Sequence, residues 1–333
     1  MPRPIGEQVV VITGASTGIG RATALALAKR GARVVLAARP DRYLGELQQE
    51  IVAKGGEALM VPTDVSDFVQ VQQLAEDTLA RYGRIDTWIN NAAVSLFASV
   101  RNTEVGEFRR LMDVNYMGQV HGAKVALPIM LRQGTGTIIM VGSVESKKGL
   151  ALQAAYAASK AAVLAFAQSL RQELQGSGIE VSTILPSSID TPLYQHARCK
   201  EGCEPRPLPP FYSPEKVARA IVNCVERPRD SVIVGGSGKL LVFLDAIAPS
   251  LVDAVIGRLA RRIQLTDTPE PPFGHDNLDQ PVEVPDPLYG GLRARWPYLS
   301  AGPVRAVSAG VLGVLLLPFV RLFLGMLGTL RRD

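Results

Sequence analysis

Three cysteines among 333 residues are too few for a disulfide framework, and the chain is expected in a reducing compartment. Aromatic side chains make up only 6% of it, and no basic run interleaved with aromatics occurs in the first two hundred residues. Nucleic acid is therefore not an expected partner. The opening MPRPIGEQVVVITG has no apolar stretch ahead of its first strand pattern, so a cleaved secretory leader is not expected and a cytoplasmic location is. Charge of one sign is also scarce, at a net +5. Much of the surplus falls late, in Arg258, Arg261, Arg262, Arg293, Arg295, Arg305, Arg321, Arg331 and Arg332. That placement suits a membrane surface better than a polyanion.

What the chain does have is alternation. Apolar runs at 8–14, 32–39, 57–64, 85–92, 136–143, 179–186 and 231–236 are separated by helical patterns, among them 43–54, 68–82, 104–132 and 214–226. Strands apolar throughout and spaced by helices predict an α/β fold, a doubly wound Rossmann-type parallel sheet with helices on both faces. Ligands of such sheets bind beyond the carboxyl ends of the strands. The residues found there are TGASTGIG, Arg39, Asp64, NNAA, Ser143 and PSSIDT, a polar set along one edge.

Gly14, Gly18 and Gly20 set a G-x-x-x-G-x-G turn between the first strand and its helix, with Ser16, Thr17 and Ile19 between them. Such a turn lets backbone approach a pyrophosphate, which then meets a helix N-terminus. At the end of the second strand, Ala38 stands where an acid for a ribose 2′-hydroxyl would be expected, and Arg39 follows. An arginine fork suits a 2′-phosphate, which predicts NADP(H) in preference to NAD(H). The plainer reading of Arg39 is a surface arginine, with Asp41 close by.

In YAASK, Tyr156 and Lys160 lie four residues apart, on one helix face about 6 Å along the axis. By itself the pair reads first as a snorkelling lysine beside a half-buried tyrosine. Together with TGASTGIG, NNAA, Asn115 in DVNYMG and Ser143 thirteen positions before Tyr156, it resembles the short-chain dehydrogenase/reductase family over residues 5–236. The resemblance implies Tyr156 as the acid/base at the substrate oxygen and Ser143 as a hydrogen-bond partner of that oxygen. It implies that Lys160 activates the tyrosine and holds the cofactor ribose, with Asn115 behind it. Asp64, Val65, Asn91, Ala92, Pro186, Ile189 and Thr191 then lie along the cofactor. Ser187 and Ala93 depart from the family's glycines. Lowering a tyrosine from near pH 10 to near pH 7 takes about 4 kcal/mol, most of which an ammonium about 5 Å away would supply. A non-catalytic dinucleotide-binding scaffold or sensor is the alternative, disfavoured by the intact Asn–Ser–Tyr–Lys set.

Residues 193–212 are expected as an irregular, proline-stiffened flap over the substrate. His196, Cys199 and Cys203 there are too few for a closed zinc site, and no metal is expected. The catalytic unit is expected to end near residue 238. A helical and then proline-rich extension follows over 239–298, broken at Pro249, with His275 unexplained. An apolar tail occupies 299–333. From Ala306 to Leu330 the tail carries one charge, Arg321, and it predicts a membrane anchor lying at or crossing the bilayer, or else a soluble buried or dimer-forming element. The expected activity is hydride transfer between NADP(H) and a lipophilic carbonyl or secondary alcohol, in a homo-oligomer.

Overall fold

Strand β1 (Val9–Thr13) reads VVVIT and is buried at every position. Its lack of alternation follows from having strands on both sides and helices on both faces. Val9 and Val11 enter one apolar core and Val10 and Ile12 the other, as the two-residue period of a strand requires. The computed structural model describes residues 2–269 and 276–291. These build a parallel sheet from β1, β2 (Arg33–Ala38), β3 (Glu57–Pro62), β4 (Thr87–Asn90), β5 (Gly136–Val141), β6 (Ile179–Pro186) and β7 (Ser231–Val234). The order is β7-β6-β5-β4-β1-β2-β3. The doubly wound architecture is as the sequence predicts.

Helices α1 (Gly18–Ala28), α2 (Arg42–Ala53) and α7 (Pro214–Glu226) cover one face. Helices α3 (Phe68–Tyr82), α4 (Val105–Met112), α5 (Gly118–Gln133) and α6 (Ala154–Glu173) cover the other. Strand β1 lies between β2 and β4, so the order reverses there and a crevice opens at their carboxyl ends.

Two stretches differ from their sequence patterns, and the extension follows its own. The helical run expected over 104–132 is divided by a π-type turn at Asp113–Met117, whose extra residue re-aims the side chains at its centre. The expected flap over 193–212 is more ordered than its prolines imply. It contains a helical turn (Leu193–His196), and Arg198–Cys199 pairs with Leu96–Phe97. Cys203–Pro205 pairs antiparallel with Leu265–Pro269. The extension forms α8 (Gly236–Ile247) and α9 (Pro249–Gln264), broken at Ala248 as Pro249 predicts. His275 and the apolar tail lie outside the described residues. Among the described residues no helix is long and apolar enough to cross a membrane.

Candidate active site

The glycine turn is held by residues that the sequence assigned to the cofactor. Asn91 Nδ2 donates to the carbonyls of Thr13 and Gly14, both at 3.0 Å. The amides of Asn91 and Ala92 donate to Thr13 Oγ1. Gly14 has φ +64°, and a Cβ on it would stand 2.7 Å from Ala92 Cα. A Cβ on Gly20 would lie 2.0 Å from Gly14 O, so the first turn of α1 packs directly on the loop. NNAA at the end of β4 thus clamps TGASTGIG at the end of β1. The result is a cradle of bare backbone at a helix N-terminus that fits a dinucleotide pyrophosphate.

The cradle opens into a continuous cleft of about 780 Å³. Ser16, Thr17, Gly18, Ile19, Arg39, Asp64, Val65, Pro186, Ile189 and Thr191 line it, as do Ser143, Tyr156 and Lys160. Gly20 and Asn115 stand behind its walls as packing and hydrogen-bonding residues. Ser187, where the family pattern has glycine, is accommodated by glycines opposite. A Cβ on Gly235 would be 2.7 Å from Ser187 Cβ, and one on Gly238 would be 3.2 Å from it. Its hydroxyl meets Ser237 Oγ at 2.9 Å.

Arg39 enters the cleft half-buried. Its Nη2 donates to the carbonyl of Asn277, while its Nη1 has no hydrogen-bond partner among the described residues. Burial lowers the pKa of Arg39, and the charge of Asp64 works against that. A buried guanidinium nitrogen without an acceptor fits an anionic group arriving from outside the chain.

Asn115 lies in the π-type turn. Its Oδ1 accepts from the amide of Val94 at 2.8 Å, and its Nδ2 donates to Val94 O and Ser159 Oγ, both at 3.0 Å. Ser159 Oγ in turn donates to the carbonyl of Tyr156. Asn115 is therefore linked to α6 through Ser159. Lys160 is 1% exposed, its Nζ donates to Val141 O at 3.0 Å, and it lies 5.7 Å from the centre of the Tyr156 ring.

One cleft residue carries no signal in the sequence beyond its place two positions after Ser143. Glu145 Oε2 is shut off from water without a hydrogen-bond partner among the described residues. Burial raises its carboxyl to about 8, against the pull of Lys160. Burial likewise lowers Lys160 to about 7, against the pull of Glu145. The Tyr156 phenol is pushed well up by burial and then by Glu145, while its hydrogen bond with Ser143 works the other way. The direction differs from the sequence expectation, in which Lys160 supplies most of a downward shift of Tyr156. Desolvation acts on every group in this pocket, and a pattern of residue types does not contain it.

His196, Cys199 and Cys203 do not converge. Cys199 Sγ donates to the carbonyl of Cys203 at 3.0 Å. His196 faces Asn277 instead, with 3.5 Å between its Nδ1 and Asn277 Nδ2. Burial and the charge of Arg39 lower its pKa to about 4.

Sequence reasoning also missed residues 276–291, read there as an irregular connector. They have little regular structure, yet they follow the cleft. Arg198 holds Asp276 at 3.0 Å and Asp279 at 2.8 Å. Leu278 is buried, its carbonyl taking a hydrogen bond from Arg110. Tyr43 Oη both accepts from the amide and donates to the carbonyl of Val284, each at 2.7 Å. The amide of Gly18 donates to Pro287 O at 2.8 Å.

The model of the short chain dehydrogenase family matches residues 8–202. The chain is 36% identical over 318 residues to the uncharacterized oxidoreductase YxnA of Bacillus subtilis, a match covering 93% of this chain and 89% of that one. It is 31% identical to the ketoacyl reductase HetN of a Nostoc species, over 74% of this chain and 88% of that one. A crystal structure of a short-chain dehydrogenase/reductase from Burkholderia phymatum in complex with NAD superposes with a TM-score of 0.67 at 27% identity. It covers 73% of this chain and 94% of that one. The glycine cradle, the parallel sheet and these likenesses agree, and the chain belongs to the short-chain dehydrogenase/reductase family, oxidoreductases acting on CH–OH groups.

Proposed function

We propose that this chain transfers hydride between NADP(H) and a lipophilic ketone or secondary alcohol, with Tyr156 as the acid/base. The observation that carries this reading is that Tyr156, Ser143 and Lys160 line the same cleft as the glycine cradle. A nicotinamide dinucleotide would supply or accept the hydride. Gly14, Ser16, Thr17, Gly18, Ile19, Asn91 and Ala92 would hold its pyrophosphate end, and Pro186, Ile189 and Thr191 the nicotinamide end. Asp64 and Val65 would lie at the adenine. The NAD in the Burkholderia protein belongs to that protein. For this chain the Nη1 of Arg39, without a partner among the described residues, and the absence of an acid at Ala38 favour a 2′-phosphate.

The chain's own groups favour proton donation. A phenol held above its ordinary pKa stays neutral near pH 7, so Tyr156 can deliver its proton as the carbonyl oxygen gains charge. Ser143 donates to the same oxygen. Lys160, lowered to about 7 by burial and anchored on Val141 O, is poised to exchange a proton near neutrality. Asn115 positions the start of α6 through Ser159. The lipophilic character of the substrate is supported by the leucine, isoleucine and proline side chains around the reacting end, and by the ketoacyl substrate in the Nostoc relative's name.

Tyr156→Phe tests the assignment. It should lower turnover about a hundredfold or more while leaving cofactor affinity within a small factor. Steady-state kinetics with fluorescence titration of NADPH reads both, and normal turnover in the variant removes Tyr156 from the chemistry.

A further inference from the structure

Helices α8 and α9 lie beyond the catalytic unit that the sequence marks out, yet they form a wall of the cleft. Helix α8 starts against the reacting end. A Cβ on Gly238 would stand 2.5 Å from Val144 Cγ2, one residue after Ser143. Helix α9 folds back beside it, and its inner stripe runs Val252, Ile256, Leu259, Ile263 at helical spacing. The two ends of that stripe have different surroundings. Val252 and Ile256 are buried against Leu150 and Leu244. Leu259 and Ile263, on the same face, remain half-buried because they border the cleft.

This wall is fixed in place by polar contacts to the loop between Ser143 and Tyr156. Lys148 Nζ pairs with Asp245 of α8 and Asp253 of α9, each at 2.7 Å. Gln153, at the start of α6, donates to Gln264 Oε1 at 2.7 Å, and Gln264 Nε2 donates to Ala151 O at 2.9 Å. Both glutamines are buried, so breaking this link would leave unpaired amides. Helix α9 is therefore pinned to the catalytic loop at both ends.

Resting on the reading of Tyr156 and Ser143 as the reacting end, we infer that the α8–α9 wall binds an unbranched aliphatic chain attached to the reacting carbonyl. The substrate class is then long-chain ketones or the corresponding alcohols, and Leu241, Ile256, Leu259 and Ile263 set the chain length. From Ile256 to Ile263 the wall runs about 10 Å, room for about eight methylenes with C–C bonds near 1.5 Å. Those four side chains offer no hydrogen-bonding group. A fused-ring ketone with a second oxygen at its far end would leave that oxygen unpaired against them, whereas a plain chain leaves nothing unsatisfied.

Each buried methylene is worth about fourfold in affinity. With the full chain and NADPH, kcat/KM for methyl ketones should therefore rise at least tenfold as the chain lengthens from about four to about twelve carbons. In Leu259→Trp and Ile263→Phe the long-to-short ratio of kcat/KM should fall at least tenfold. Binding is read separately from turnover, by the rise in melting temperature with a saturated long-chain primary alcohol. The rise should appear in the wild type and shrink in both variants. A flat chain-length profile, an unchanged ratio in folded variants, a preference for a fused-ring ketone, or no stabilisation by the alcohol overturns the wall's assignment. Stabilisation by the alcohol that is lost in the variants, with no ketone reduced, supports the wall and overturns the role given to Tyr156.

Discussion

Glu145 shows how one side chain can set the pH response of a buried site. Its carboxyl rises to about 8 because burial penalises the charged form, so the native state keeps a proton that the unfolded chain releases near 4.5. The native state binds the extra proton between those values, and stability contributed by this group is lost as pH rises from about 4.5 to about 8. Lys160, lowered to about 7, acts in the opposite sense from there up to 10.5, because its native form gives up a proton early. Glu145→Gln removes the first effect. Its stability relative to the wild type should grow by a few kcal/mol across the lower window, each pKa unit being about 1.4 kcal/mol. Thermal unfolding at the two ends of that window measures it, and a pH-independent difference between the proteins contradicts it. Arg39 makes the second prediction at this scale. If its fork takes a 2′-phosphate, NADPH should bind at least about tenfold more tightly than NADH, and Arg39→Asp should reverse the order. Equal affinities in the wild type would remove the argument.

Among the elements, the segment 276–291 owes its position to side chains of other elements. Its own sequence, rich in proline and acid, forms no helix or strand, so its polar backbone must find partners elsewhere. Tyr43 of α2 satisfies both backbone groups of the buried Val284. Tyr43→Phe would leave an amide and a carbonyl buried and unpaired, at about 1–3 kcal/mol for each group. Hydrogen exchange of amides across 276–291 should then quicken by about tenfold or more, with the sheet's protection little altered. Uniform loss of protection would show that Tyr43 acts through the core instead. The π-type turn at Asp113–Met117 is a comparable case. A helix period running through 104–132 is visible in the residues, but the one-residue insertion that turns Asn115 toward Val94 and Ser159 is not.

At the scale of the whole molecule, the glycine cradle, Ser143, Tyr156, Lys160 and the α8–α9 wall line one cleft among the described residues. From Ala306 to Leu330 the apolar tail carries one charge, Arg321, and we propose that a membrane covers it. Basic residues at both of its ends favour an anchor at anionic headgroups. Expressed in cells, the full chain should sediment with membranes and require detergent for release. A version ending near Pro303 should remain in the supernatant and still bind NADPH. A full chain that stays in the supernatant as a stable oligomer would make the tail an assembly element.

The sequence by itself determined the seven strands, their parallel arrangement and the edge at which TGASTGIG, NNAA, Ser143 and YAASK meet. These depend on local period and on glycines whose constraint is local, and a doubly wound sheet permits little else. The tertiary structure alone decided that α8 and α9 form a wall of the cleft, that 276–291 runs along it, and that Glu145 is desolvated close to Tyr156 and Lys160. Each of these depends on which surfaces are brought together across more than a hundred residues of chain or on the removal of water from a pocket. Neither leaves a periodic trace in the residues themselves.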